Sequence, residues 1–83
     1  MKIYEVMTRG VETVSSGETI GRAAKKMEMF NIGFLPVVES GKVIGVVTDR
    51  DIVTRAISAG LSPHMTTVRQ VMTRLPYRRR YGP

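Results

Sequence analysis

The chain's 83 residues allow one small domain, and at that length only about 60–65% of the unfolded surface is buried, so the core is marginal unless something supplements it. There is no cysteine, which excludes disulfides and thiolate metal sites, and no apolar run nears the roughly 18 residues of a membrane span. The formal charge is +6, but four of the thirteen basic residues (Arg74, Arg78, Arg79 and Arg80) fall in the last ten positions; the rest sets nine basic against seven acidic residues, an ordinary balance for a soluble domain.

The start, "MKIYEVMTRG", has no apolar h-region and no small-residue cleavage site, so the expectation is a soluble cytoplasmic protein without a signal peptide. Residues 2–8 read as a short helical turn. "VETV" (11–14) reads as a brief extended piece, and "SSGE" after it as turn chemistry. From Thr19 the period becomes helical: Ile20, Ala23, Ala24, Met27 and Phe30 form one apolar stripe. Thr19 is the expected N-cap, and Asn31 or Gly33 the stop. Arg22, Lys25, Lys26 and Glu28 mark a solvated face. Met27 and Met29 read as core filler.

Two Val/Ile-rich runs follow, "FLPVVE" and "KVIGVVT", joined by Ser40-Gly41. A two-residue link of that kind predicts a tight antiparallel hairpin. Pro36 has no N–H to give a ladder, so its strand is an edge or is paired on one side there. A second helix is expected from Thr48–Asp49, carrying Ile52, Val53, Ala56 and Ile57 and ending at Gly60. "LSPHMT" is loop, and its His64, the only histidine, has no partners at metal-ligand or triad spacing. Then "VRQVMTR" (68–74) echoes "IYEVMTR" (3–9) at an offset of 65 residues. That spacing suggests one copy of a unit and the opening of a second. "LPYRRRYGP" shows no periodicity.

The residues "VMT", "TVSSGETIGRAAKKMEMFNIGFLPVVESGKVIGVVTDRDI" and "VRQVMT" resemble the CBS-domain family, named after cystathionine β-synthase. The similarity covers residues 3–74. It implies an α+β fold of short strand, helix, β-hairpin and helix, the order already read from periodicity. Two such repeats normally pack through their sheets into a Bateman module. Such modules commonly bind AMP, ADP, ATP or S-adenosylmethionine between repeats and act as sensors.

The family's ligand motif is matched by Gly45-Val46-Val47-Thr48-Asp49-Arg50-Asp51. At a helix N-terminus a threonine hydroxyl can donate to a phosphate, a carboxylate one turn on can accept from both ribose hydroxyls, and Arg50 can add charge-assisted bonds. Thr48-x-x-Asp51 is equally a capping box that needs no ligand. Asp49 and Asp51 could share Mg²⁺ with a nucleotide, a poor case on two carboxylates alone. The resemblance places the base slot at Gly33, Phe34, Leu35 and Pro36 with Thr13 and Val14. Gly33 permits close backbone approach and Phe34 can wall in an adenine, while Leu35 reads as core.

The ligand-binding expectation is therefore Thr13, Val14, Gly33, Phe34, Pro36, Thr48, Asp49, Arg50 and Asp51, with no metal site and no obligatory cofactor. No nucleophile sits beside a plausible base, so no enzyme is expected. Residues 1–74 form the expected unit with flanking helical turns, and 75–83 a basic, disordered tail. One unit alone would leave Val37, Val43, Ile44 and Val46 uncovered, which predicts a homodimer through the sheet. The expected function is an adenine-nucleotide sensor read by a protein partner. The alternatives are a ligand-free dimerisation or scaffold module, and a tail that presents arginines and Tyr77 and Tyr81 to nucleic acid.

Overall fold

The computed structural model describes residues 10–75. The helical turn expected at 2–8, and all of the expected basic tail except Leu75, lie outside the described residues. The elements are β1 (Val14–Ser15), α1 (Ile20–Phe30), β2 (Phe34–Glu39), β3 (Lys42–Thr48), α2 (Asp49–Ile52), a π-helical turn (Val53–Ile57), α3 (Val68–Val71) and β4 (Thr73–Arg74). The fold is α+β, as expected, with a single four-stranded sheet in the order β1-β2-β3-β4.

The first strand is short and starts late. The expected extended piece, 11–14, contributes only Val14, and Ser15, expected in the turn, is its second residue. Helix α1 begins where its cap predicts: Thr19 Oγ1 accepts from Arg22 N–H at 3.3 Å. It ends where Asn31 takes a left-handed conformation, φ 54°. Ile20, Ala23 and Met27 are buried, but Ala24 and Phe30 of the expected stripe are exposed. Met29, expected as core filler, is 69% exposed. An 11-residue helix lying on short strands buries only the central line of its apolar face.

The hairpin closes at Ser40 and Gly41, both at positive φ (52° and 78°), which is type I′ geometry. Leu35 faces Val47 and Val37 faces Gly45 across the strands; a bulge after Val37 then shifts the register so that Val38 faces Val43. Pro36 pairs with Val46 on the β3 side, and β1 joins β2 only from Val37 onward. The proline is thus paired on one side, as its missing N–H requires.

Helix α2 passes into the π-helical turn, where Ser58 N–H donates to Val53 C=O at 3.0 Å. With i→i+5 bonding, Ala56 lies about one turn beyond Ile52, and both are buried. Val53 and Ile57 fall off that line and are 56% and 51% exposed, contrary to the expected stripe. Gly60, at φ 76°, ends the segment.

The echo at 68–74 completes this sheet. Thr67 N–H donates to the Gln70 side chain at 2.8 Å, fixing the start of α3. Strand β4 then pairs antiparallel with β3, Gly45 facing Arg74 and Val46 facing Thr73. Val68, Val71 and Met72 join the core formed by Val14, Ile20, Leu35, Val37 and their neighbours. Val37, expected to be uncovered, is fully buried; Val43, Ile44 and Val46 are half-buried. Alternation puts Val37 on the same face as Leu35 and Val47, the face the helices cover.

A charged cluster ties α3 to the hairpin. Glu39 accepts from Ser16 Oγ and from Arg69, each at 2.7 Å, and Arg69 N–H donates to Ser16 C=O at 3.0 Å. The Ser16 hydrogen bond, with Arg69 charge and hydrogen bonding behind it, holds the Glu39 carboxyl below its ordinary value of 4.5. A lowered carboxyl pKa gives stability that is present above the ordinary value and lost as pH falls through the lowered one. Wild type should therefore melt above Glu39→Gln at neutral pH, and the gap should close on acidification past the carboxylate range. A gap unchanged across that range would rule out this role for Glu39.

Candidate functional site

The end of β3 and the start of α2 form the most heavily bonded polar corner of the described residues. Thr48 is extended (φ −115°, ψ 163°), and its Oγ1 accepts from Asp51 N–H at 3.0 Å. The Asp51 carboxylate returns the bond, with Oδ2 accepting from Thr48 N–H at 3.1 Å. This is a complete capping box, and it satisfies two amide donors that a helix start would otherwise leave unpaired. Asp51 is 8% exposed. A carboxylate offers about four acceptor positions, and two more groups approach this one. Thr73 Oγ1 lies 3.4 Å from both carboxylate oxygens. Arg55 Nε lies 3.8 Å from Oδ1, while its Nη1 donates to the carbonyls of Val71 at 3.2 Å and Met72 at 3.0 Å.

Asp49 and Arg50 are exposed at the first turn of α2. Asp49 Oδ1 accepts from Arg50 N–H at 2.7 Å, and Asp49 N–H donates to Gly33 C=O at 2.9 Å. That bond draws Gly33 so close that a Cβ there would stand 3.2 Å from Asp49 Oδ2. A side chain at Gly33 would press on the exposed Asp49 carboxylate, which would have to turn aside by a few tenths of an ångström. Among the described residues Arg50 forms no ion pair.

Phe34 is the cross-strand neighbour of Thr48 and is half-exposed at 50%. It borders a cleft of about 410 Å³ with Gly10, Val11, Phe30 and Ile32. Pro36 is buried in β2. Thr13 and Val14 border a different cleft of about 630 Å³ beside α1. Val14 is core at 5% exposure, and the Thr13 carbonyl accepts from Lys26 Nζ at 2.8 Å. Asp49 edges a third cleft of about 320 Å³ between α1 and α2. The hairpin thus brings Gly33, Phe34, Thr48, Asp49, Arg50 and Asp51 to one end of the sheet. Val14 lies on the edge strand β1 beside Val37 of β2, with Thr13 just before it. None of these three clefts collects all nine.

Two residues of this corner were not anticipated, Arg55 and Thr73. Each carried a signal. Arg55 stands four residues after Asp51, the spacing of a helical ion pair, and Thr73 belongs to the repeated "VMT". Among the described residues no three His, Cys, Asp or Glu side chains are grouped to hold a metal, and no helix is long and apolar enough to cross a membrane.

The family described as "CBS domain" matches residues 3–58. The chain is similar to "CBS domain-containing protein YhcV" of Bacillus subtilis, 42% identical over 71 residues, covering 86% of this chain and 50% of that protein. It is also similar to "Hypoxic response protein 1" of Mycobacterium tuberculosis, 39% identical over 64 residues, covering 76% of this chain and 45% of that protein. The chain therefore spans about half the length of these curated relatives. Among solved structures, a cystathionine β-synthase domain protein fused to a Zn-ribbon-like domain superposes with a TM-score of 0.74 at 31% identity, over 81% of this chain and 97% of that one. Hypoxic Response Protein I, solved with two coordinated zinc ions, gives 0.72 at 38% identity, over 76% and 53%. A hexameric CBS-CP12 protein from bloom-forming cyanobacteria gives 0.70 at 28% identity, over 88% and 44%.

Proposed function

This chain belongs to the CBS-domain family of regulatory modules, and from that membership we propose that it is a non-enzymatic sensor of an adenosine-containing ligand, working in the cytoplasm as a homodimer. The ligand class is AMP, ADP, ATP or S-adenosylmethionine. One observation supports this most directly: Phe34, half-exposed, stands directly across the hairpin from Thr48. An apolar wall and a hydroxyl–carboxylate pair thus share one end of the sheet, the pairing that a base linked to a sugar-phosphate requires. In this proposal Thr48 and Arg50 hold phosphate, with Asp49 at the rim, and Asp51 accepts from the ribose hydroxyls. Gly33, Phe34 and Pro36 frame the base with the backbone of Thr13 and Val14, the Val14 side chain itself being core. The half-buried Val43, Ile44 and Val46 give a second copy its apolar contact. Ligand bound where copies meet alters their packing, which a protein partner then reads.

The scaffold reading, in which the fold dimerises without ligand, is favoured by one feature: the capping box already satisfies Thr48 and Asp51. A thermal melt separates the two. Ligand at 100 times its dissociation constant stabilises by about 2.7 kcal/mol, a rise of several degrees for a small domain. AMP, ATP or S-adenosylmethionine should produce such a rise, with sedimentation giving the mass of two chains. Melts that none of the three moves would leave the scaffold reading standing.

A further inference from the structure

Asp51 is the point at which the structure joins the proposed ligand corner to the segment that completes the sheet. Thr73 Oγ1 lies at 3.4 Å from both oxygens of its carboxylate. A ribose diol brings two hydroxyl donors and needs both of those oxygens. Asp51 is only 8% exposed and Thr73 Oγ1 stands equidistant from both oxygens, so a diol that reaches the pair must take the place of that hydroxyl. Among the described residues strand β4 pairs with β3 at Gly45 and Val46, followed by Leu75 N–H donating to Ile44 C=O at 3.2 Å. Its residues are exposed.

The preceding turn is held far better. Arg55 Nη1 bonds the carbonyls of Val71 and Met72, Met72 N–H donates to Val68 C=O at 2.9 Å, and Val71 and Met72 are buried. These bonds come from Arg55 Nη1, while its Nε is the atom beside the Asp51 carboxylate, 3.8 Å from Oδ1. The boundary between firm and loose chain thus falls at Met72.

We propose that ligand binding at Asp51 and the docking of residues 73–75 on β3 are negatively coupled, the ribose displacing the Thr73 hydroxyl and freeing the strand from a hinge at Met72. This rests on the nucleotide reading given above. It makes residues 73–75 the output of the site, since they are the first to lose a bond when the ligand arrives.

Amide hydrogen exchange on the full chain, with and without saturating ATP, tests it. The amides of residues 73–75 should exchange at least about threefold faster with ATP bound, while that of Met72 keeps its rate. Thr73→Val removes the competing hydroxyl and should tighten ATP binding by roughly two- to tenfold, the worth of one net hydrogen bond. Thr73→Ser, which restores the hydroxyl, should bind as wild type does. ATP that binds but leaves the exchange of residues 73–75 unchanged, or slows it, overturns the coupling alone. A Thr73→Val chain that folds and binds ATP no more tightly does the same. Calorimetry showing no binding of ATP, AMP or S-adenosylmethionine to wild type overturns both the coupling and the nucleotide reading.

Discussion

Leu35→Ala is expected to lower the free energy of unfolding by about 2–5 kcal/mol, the range for emptying a fully buried leucine site. Leu35 is completely enclosed, paired across the hairpin with Val47 and set in the same cluster as Ile20, Val37 and Val71. The loss combines the transfer of the removed atoms with the cavity they leave, and the fully enclosed neighbours have little room to close it. Domains of this size have only a few kcal/mol in hand, so much of the variant should be unfolded at 37 °C. The next residue back is the control. Phe34→Ala removes a larger side chain, but one that is half-exposed, so its cost should be less than half that of Leu35→Ala. Urea melts provide the comparison: the midpoint should fall sharply for Leu35→Ala with its slope unchanged, and little for Phe34→Ala. Equal losses at the two positions would mean that the core is not organised as described.

Gly45→Ala should cost about 1–3 kcal/mol and loosen β4, through crowding. A Cβ at Gly45 would stand 2.6 Å from the carbonyl oxygen of Thr73, and 3.2 Å from both Arg74 Cα and Met72 Sδ. The nearest of these atoms is backbone, so the strand itself must move. Gly45 has no positive φ to favour it; its requirement is the closeness of β4 alone. Hydrogen exchange should show residues 73–75 losing protection while the β2–β3 hairpin keeps its own. Thr73 would leave Asp51 in the same step, so an intact capping box with a detached strand is the expected structure. A Gly45→Ala chain as stable as wild type, with β4 in place, would contradict this account of the glycine.

That glycine shows how one residue carries different meanings in sequence and in space. In the sequence Gly45 opens a ligand motif. In the structure it makes room for β4, whose Thr73 carbonyl oxygen would stand 2.6 Å from a Cβ there. The capping box at Thr48 and Asp51 was legible because its two residues lie three positions apart, within reach of local pattern. The third and fourth contacts to Asp51 were not read, although each had left a trace. Arg55 reaches carbonyls 16 and 17 residues away, and Thr73 reaches a carboxylate 22 residues away.

The sequence by itself determined the local elements: the Thr19 cap of α1 and its stop at Asn31 or Gly33, the Ser40–Gly41 turn, an edge or one-sided pairing at Pro36 and the start of α2. Each rests on backbone chemistry within a few residues, and the motifs that joined them identified the family. Only the tertiary structure decided what the repeated "VMTR" does at its second occurrence. It lays Val71 and Met72 into the core and Thr73–Arg74 along β3. Tertiary contact also decided that Val37 is buried while Met29, Val53 and Ile57 are exposed. The physical reason is common to all of them. Apolar periodicity states that a face wants cover, but which residues receive it depends on how far each short strand and helix extends over the others, and neighbours in sequence carry no record of that.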